Sequence, residues 1–409
     1  MTIGTGPGNG KPIASTTSVL RVMNERAVYE RIRAEGPISR PEVARLTGLS
    51  KPTVSLALAD LERTGLVRTV GHRTGSAGRA AMLYEIHPGA GRVIGIDVGL
   101  EWVRAALSGL DGEPIVRRDV RSQARSADAL IEQLAALVAE LSAEAGIGPG
   151  DVTYIVLGTP GVHDVENQRL RLAPNLPGWD RPGVTRQLAD RLPAPFLIEN
   201  DIALAALGEQ AHGLGAGISD FAFLSIGTGI GMGIVLEGRL FRGSRGAAGE
   251  VAFLPFGEAD PLTHAPGARR HGMLESVLSA AGLVATARRL GMPGHPTVKR
   301  VYDAARAGDP IAQEAVRYEA GNLARALASV IALLDPELVI IGGGLGQHGV
   351  DVLLDAVRER LADMTPLDPP PIEPSALAEE ATVLGALATG LSTAIDIVFN
   401  RAVAEPAVG

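Results

Sequence analysis

Between Ser39 and Leu61 the chain carries two helix starts and one enforced stop, a spacing that leaves little choice of fold for this stretch. Ser39-Arg40-Pro41-Glu42 is a capping box, in which Ser39 caps a helix and Glu42 reaches back to the cap amide. That short helix, about Arg40 to Leu46, stops at Gly48. Ser50 then caps a further helix, with Pro52 in its first turn, where a missing N–H costs nothing. Upstream, Val19, Leu20, Val22, Met23, Val28 and Ile32 give an earlier helix its apolar stripe until Gly36 and Pro37 end it. In the third helix Val54, Leu58 and Leu61 fall at i, i+4 and i+7 and face a core, which leaves Lys51, Thr53, Ser55 and Arg63 on the opposite or flanking surface.

A helix, a tight glycine turn and a helix opening with small polar and basic residues make a helix-turn-helix, whose second helix enters the major groove N-terminus first. Arg40, Ser50, Lys51, Thr53 and Ser55 are therefore the candidate DNA contacts. Hydroxyls there reach base edges or phosphates, and Lys51 neutralises a phosphate. A strand over 66–70, a basic loop (His72, Arg73, Gly75, Gly78, Arg79) and a strand over 82–86 complete a wing with Arg79 at its tip. Charge agrees: residues 1–90 hold 12 Lys and Arg against 7 Asp and Glu, while the remainder holds 26 against 39. The overall −8 hides this contrast, and a basic patch binds phosphates locally whatever the distant charge. A helical protein-interaction module with a solvated basic face is the competing reading.

At 409 residues the chain exceeds one hydrophobic core, so several domains are expected. The expected division is a disordered tail over 1–17, a winged helix-turn-helix over 18–88, and a large domain over 91–409. Gly4, Gly6, Pro7, Gly8 and Gly10 do not form the apolar core of a signal peptide. The absence of cysteine rules out disulfides and thiolate metal sites and fits a reducing cytoplasm. The most apolar helical run, 326–334, stops at Asp335 and Pro336, short of the roughly 20 residues of a membrane span. No membrane segment is expected.

Beyond Pro88, strand and helix patterns alternate, which argues for an α/β architecture. Strands are expected over 92–98, 103–110, 153–157, 196–199 and 338–341, with a further strand-rich stretch over 221–236. Helices are expected over 127–145, 311–334 and 379–399, and the Pro-rich 366–374 is a connector. Three loops at strand ends carry chemistry. Gly227 to Gly233 either turns backbone amides toward a ligand or makes a plain hairpin. Asn200-Asp201 is either a helix cap or a place for a carboxylate that accepts a hydroxyl proton. Gly342 to Gly344 suits either a nucleotide or close packing.

In this order the pieces resemble the ROK family, named for repressors, open reading frames and kinases. The residues that carry the likeness are Gly158 to Gly161, Ala173 to Trp179, Glu199-Asn200-Asp201, the Gly227 to Gly233 loop, Gly249-Glu250 and Leu338 to Gly344. The resemblance implies a winged helix-turn-helix followed by a two-lobed actin/hexokinase-like (ribonuclease H-like) domain, its last helix returning to the first lobe. It implies sugar contacts at Asn175, Asn200, Asp201, Glu250 and Glu275, and a general base at Asp201 in the family's kinases.

The departures bear on function. The kinases' first phosphate loop, Asp-x-Gly-Gly-Thr, reads here Asp97-Val98-Gly99-Leu100-Glu101. A carboxylate where Thr would meet ATP phosphates opposes phosphoryl transfer. The family's zinc loop is also missing: Ala252-Phe253 replace Gly-His, and 266–275 holds no cysteine. His264 and His271 lack third and fourth ligands, so no metal site and no cofactor are expected. Phe253 trades a sugar-directed imidazole for a ring that stacks on a sugar face. Ala80 after Gly78-Arg79, in place of the family's Pro, loosens the wing tip. The expectation is a cytoplasmic, non-catalytic transcriptional regulator, a repressor of carbohydrate genes, acting as a homodimer or homotetramer on operator DNA with a sugar effector. An active sugar kinase with Asp201 as base, or a scaffold that binds neither partner, are the alternatives.

Overall fold

The computed structural model describes residues 16–73, 81–164, 169–171, 176–255 and 271–404. Internal contacts divide the chain into two units, one of residues 1–92, 109–113 and 393–409, the other of 93–108 and 114–392.

The first unit opens with α1 (Thr16–Glu35), β1 (Ile38–Ser39), α2 (Arg40–Thr47) and α3 (Lys51–Arg63), followed by β2 (Val67–Arg73) and β3 (Ala81–Ile86). Glu42 does reach back, accepting from the Ser39 amide at 3.0 Å and hydroxyl at 2.6 Å. Gly48, at φ 70°, closes α2 in a left-handed conformation that costs glycine nothing. Ser50 Oγ accepts from the Thr53 amide at 3.3 Å, capping α3. Val54, Leu58 and Leu61 are buried, as are Tyr29 and Ile32 of α1 and Val43 of α2. The strands pair antiparallel in the order β1-β3-β2, and the wing tip lies outside the described residues.

The second unit holds two five-stranded sheets. The first is built from β4 (Val93–Val98), β5 (Trp102–Ser108), β6 (Pro114–Arg121), β7 (Tyr154–Thr159) and, after the short pair β8 (Val162–Asp164) and β9 (Arg169–Arg171), β10 (Phe196–Asn200). Its order is β10-β7-β4-β5-β6. The helix α4 (Ala127–Glu144) buries Leu130, Leu134 and Leu137 in a core shared with Ile94, Ile96 and Trp179. The helix α5 (Val184–Arg191) precedes β10, and α6 (Asp201–His212) follows it directly. The second sheet runs β13-β12-β11-β14-β15, from β11 (Phe221–Ile226), β12 (Ile230–Leu236), β13 (Arg239–Leu240), β14 (Leu338–Gly342) and β15 (Ile372–Pro374). Between β13 and β14 come α7 (Met273–Leu278), α8 (Ala280–Arg289), α9 (Val298–Arg306) and α10 (Pro310–Leu334). After β14 come α11 (Gly343–His348) and α12 (Val350–Met364), and α13 (Ala381–Ala404) closes the described chain.

Besides the short β1, β8, β9 and β13, two sheet-edge strands depart from the sequence expectation. β6 escaped because only Val116 of its first seven residues is buried, as befits an edge strand rich in charge. The Pro-rich 366–374 is not wholly a connector, since its end forms β15, and an edge strand tolerates Pro374. The most apolar helical run is not 326–334: the helix over 378–402 is long and apolar enough, by length and composition alone, to cross a membrane, at mean hydropathy 1.7. Here 44% of its apolar window is buried in protein. Gly385 lies against the Leu204 carbonyl and Gly390 against Val93 and Val156, approaches with no room for a Cβ. Past residue 392 the helix belongs to the first unit: Arg26 pairs with Asp396 at 2.6 Å, and Tyr29 packs on Phe399 with ring centroids 6.2 Å apart.

Candidate functional site

In the second unit a cleft opens between the ends of β7 and β10 and the hairpin of β11 and β12. Parallel pairing of β10 with β7 sets Glu199 beside Gly158 and Asn200 beside Thr159. Asn200 caps α6, its Oδ1 accepting from the Ile202 and Ala203 amides at 3.0 Å while its Nδ2 donates to the Gly161 carbonyl at 3.1 Å. The fold thus uses Asn200 as a helix cap, and Asn200 also stands in the cleft wall. Asp201 follows, one oxygen accepting from the Ile202 amide at 2.9 Å. Burial pushes its carboxyl up to about 6, against the backbone amides that pull it down.

Gly249 stands at φ 90° with no room for a Cβ beside the Met232 carbonyl, and that turn presents Glu250 to the cleft. Glu275, in the first turn of α7, accepts from the Ile230 amide at 3.1 Å. Burial raises both carboxyls, and for Glu250 the charges of Asp201 and Glu275 add to it. The hairpin turn closes with the Gly227 amide donating to the Gly229 carbonyl at 2.9 Å, and it lines the cleft. The glycine loop is therefore a hairpin that also lines the cleft. Phe241 and Phe253 present half-exposed rings to the same space.

Sequence reasoning missed Arg242 and Phe241 in the cleft lining and weighed His271 only as a metal ligand. Arg242 donates to Glu199 at 2.7 Å, His271 stands 3.9 Å from Glu275, and Phe241 precedes Arg242 on the loop after β13. Arg242 is one of three arginines in this stretch, with Arg239 and Arg245, and nothing in the pattern singles it out. Behind the cleft, strand register sets Asp97 of β4 opposite Arg104 of β5, and Arg104 opposite Asp119 of β6. Arg104 lies 3.6 Å from Asp97 and 2.8 Å from Glu379. Burial first, then the charge of Asp201, pushes Asp97 up to about 7 against the pull of Arg104. Leu100 and Glu101 sit on the turn between β4 and β5, and Glu101 faces Arg121 at 3.5 Å. Asn175, His264 and Arg79 lie outside the described residues. Among the described residues no group of three or more His, Cys, Asp or Glu is placed to hold a metal.

Chemically the cleft offers Asp201, Glu250 and Glu275 as acceptors for hydroxyl hydrogens, beside apolar faces suited to a sugar ring. The same carboxylates repel an anion.

In the first unit, Arg40, Ser50 and Lys51 are exposed, and Thr53 and Ser55 half-buried. Arg40 Nη1 donates to Ser55 Oγ at 3.2 Å, Ser55 donates to the Lys51 carbonyl at 2.8 Å, and the Ser50 and Thr53 hydroxyls meet at 2.7 Å. Arg63 is tied to Asp60 at 3.4 Å, which also pairs with Arg21.

Comparison with known proteins finds a family match for each part of the chain. Residues 93–391 match the ROK family, and residues 24–68 match a winged helix-turn-helix DNA-binding domain. A xylose repressor from Caldicellulosiruptor bescii is 28% identical over 92% of this chain and 97% of its own length. A glucokinase from Thermotoga maritima is 32% identical over 72% of this chain and 96% of its own. The solved structure of a ROK family transcriptional regulator, a homolog of the E. coli MLC protein, superposes with TM-score 0.76 over 94% of this chain and 99% of that one. At 22% identity that last likeness is one of fold.

Proposed function

This chain belongs to the ROK family, and from that premise we propose that it is a sugar-responsive DNA-binding repressor that transfers no phosphoryl group. The observation that carries the reading is the convergence of Asp201, Glu250 and Glu275 in one cleft of a chain that also holds a winged helix-turn-helix. A neutral sugar donates its hydroxyls to these carboxylates and closes the cleft. Closure shifts the balance between a state that holds operator DNA and one that does not. A homodimer or homotetramer supplies the paired recognition helices such an operator needs. The repressor of similar length is described for xylose, which makes aldopentoses the first sugars to try.

Against catalysis stand two features of the first phosphate loop. Glu101 brings a carboxylate to the turn after Asp97, and Asp97 faces Arg104, a cation of the chain itself. A site already neutralised from within has little pull on a metal–nucleotide complex. ADP release that depends on a hexose and vanishes in Asp201→Ala would install the kinase reading instead.

The test is binding of the purified protein to DNA from its own upstream region across salt concentrations. Affinity should fall steeply with salt, and Lys51→Ala should weaken all duplexes alike and lessen the slope by about one. A calorimetric panel of pentoses, hexoses and amino sugars then identifies the effector, which must change DNA affinity and lose its effect in Asp201→Asn. No salt-dependent binding to any duplex overturns the proposal.

A further inference from the structure

The side of α3 that faces away from the core is apolar along its centre. At about 100° per residue, Val54, Ala57, Leu58 and Leu61 share the buried side. The opposite line runs through Pro52, Leu56, Ala59 and Arg63, all exposed. Leu56 is 60% exposed, and Arg63 at the far end is engaged by Asp60. The polar residues lie off this line: Ser50 and Thr53 are joined in the cap, and Ser55 donates to the Lys51 carbonyl. Along this line the middle of the recognition helix therefore presents no group that tells a hydrogen-bond donor from an acceptor.

An apolar branched side chain held at the centre of such a face must meet an apolar partner when the helix docks. The floor of the major groove has one, the C5-methyl of thymine. The surroundings select a duplex over an apolar protein surface. Lys51 at the start of α3 is exposed, as is Arg40, which donates to Ser55, the residue before Leu56, and residues 1–90 carry 12 Lys and Arg against 7 Asp and Glu. Resting on the DNA-binding reading above, we infer that Leu56 reads a base, packing on a thymine methyl, so that each operator half-site holds thymine at one fixed position. Pro52 and Ala59 extend the apolar line on either side, and Lys51 and Arg40 hold the flanking phosphates.

The experiment separates this inference from the reading beneath it. Duplexes retained by the full-length protein are selected from a random pool, and each dT of the retained site is then replaced singly by dU, which removes only the methyl. At one position per half-site the replacement should weaken binding about three- to five-fold. Leu56→Ala should bind the dT and dU duplexes equally, while Lys51→Ala weakens both and keeps the difference. Tolerance of dU at every position, or a Leu56→Ala protein that still discriminates, overturns the inference and leaves DNA binding standing. A pool from which nothing is retained overturns both.

Discussion

Asp97 and Asp201 are carboxyls pushed up to about 7 and about 6, where 3.8 is ordinary, and burial is the first cause for each. A value raised in the folded state means that the native protein holds protons the unfolded chain has released. The stability this contributes is complete below about pH 4 and is lost as pH climbs through 6 and then 7. The Tm of the sugar-free protein should therefore fall between pH 5 and pH 8, and Asp97→Asn should flatten the upper part of that decline. Thermal unfolding across pH measures it, and parallel profiles for the two proteins would refute it. Both aspartates were visible in the sequence as loop residues at strand ends. Arg104 was not, because what makes it a partner is the register between β4 and β5, and register is a property of the sheet.

Among the elements, the turn before Glu250 and the pair of α9 with α10 each invite a substitution. Gly249→Ala must displace the backbone, since a Cβ there meets the Met232 carbonyl and the φ of 90° is strained for alanine. It should cost sugar affinity at least ten-fold with little change in DNA affinity, as titrations of each ligand would reveal. In the core of the second sheet's helices, the Tyr302 hydroxyl donates to Glu319 at 2.9 Å, and burial pushes that carboxyl up to about 8. Tyr302→Phe leaves it without this donor and should destabilise the protein by about 1–3 kcal/mol, read from urea unfolding; a loss under half a kcal/mol would show that the carboxyl finds another partner. The helices of the first unit were legible almost to the residue, because Ser39, Gly48, Ser50 and Pro52 are local signals that act through their own backbone. β6 and β15 were not, since edge strands need no apolar alternation and announce themselves only through a neighbour.

At the scale of the molecule, α13 serves both units, residues 381–392 in one and 393–404 in the other. Phe399 is 3% exposed and packs on Tyr29 of α1, so Phe399→Ala should remove about 3–5 kcal/mol from the first unit. Faster hydrogen exchange in α1 and weaker DNA binding, with sugar affinity unchanged, is the expected result; unchanged exchange in α1 would count against the packing. Nothing local in the sequence marks this division of one helix, because partners such as Tyr29 and Phe399 are separated by about 370 residues. The separation is also a delay. At about 5–20 residues per second of synthesis, the α1 surface waits roughly 20–75 s for Phe399 to be made. Until then a growing chain carries a recognition helix on an unfinished support, so the effector cleft is synthesised before the DNA reader can be complete.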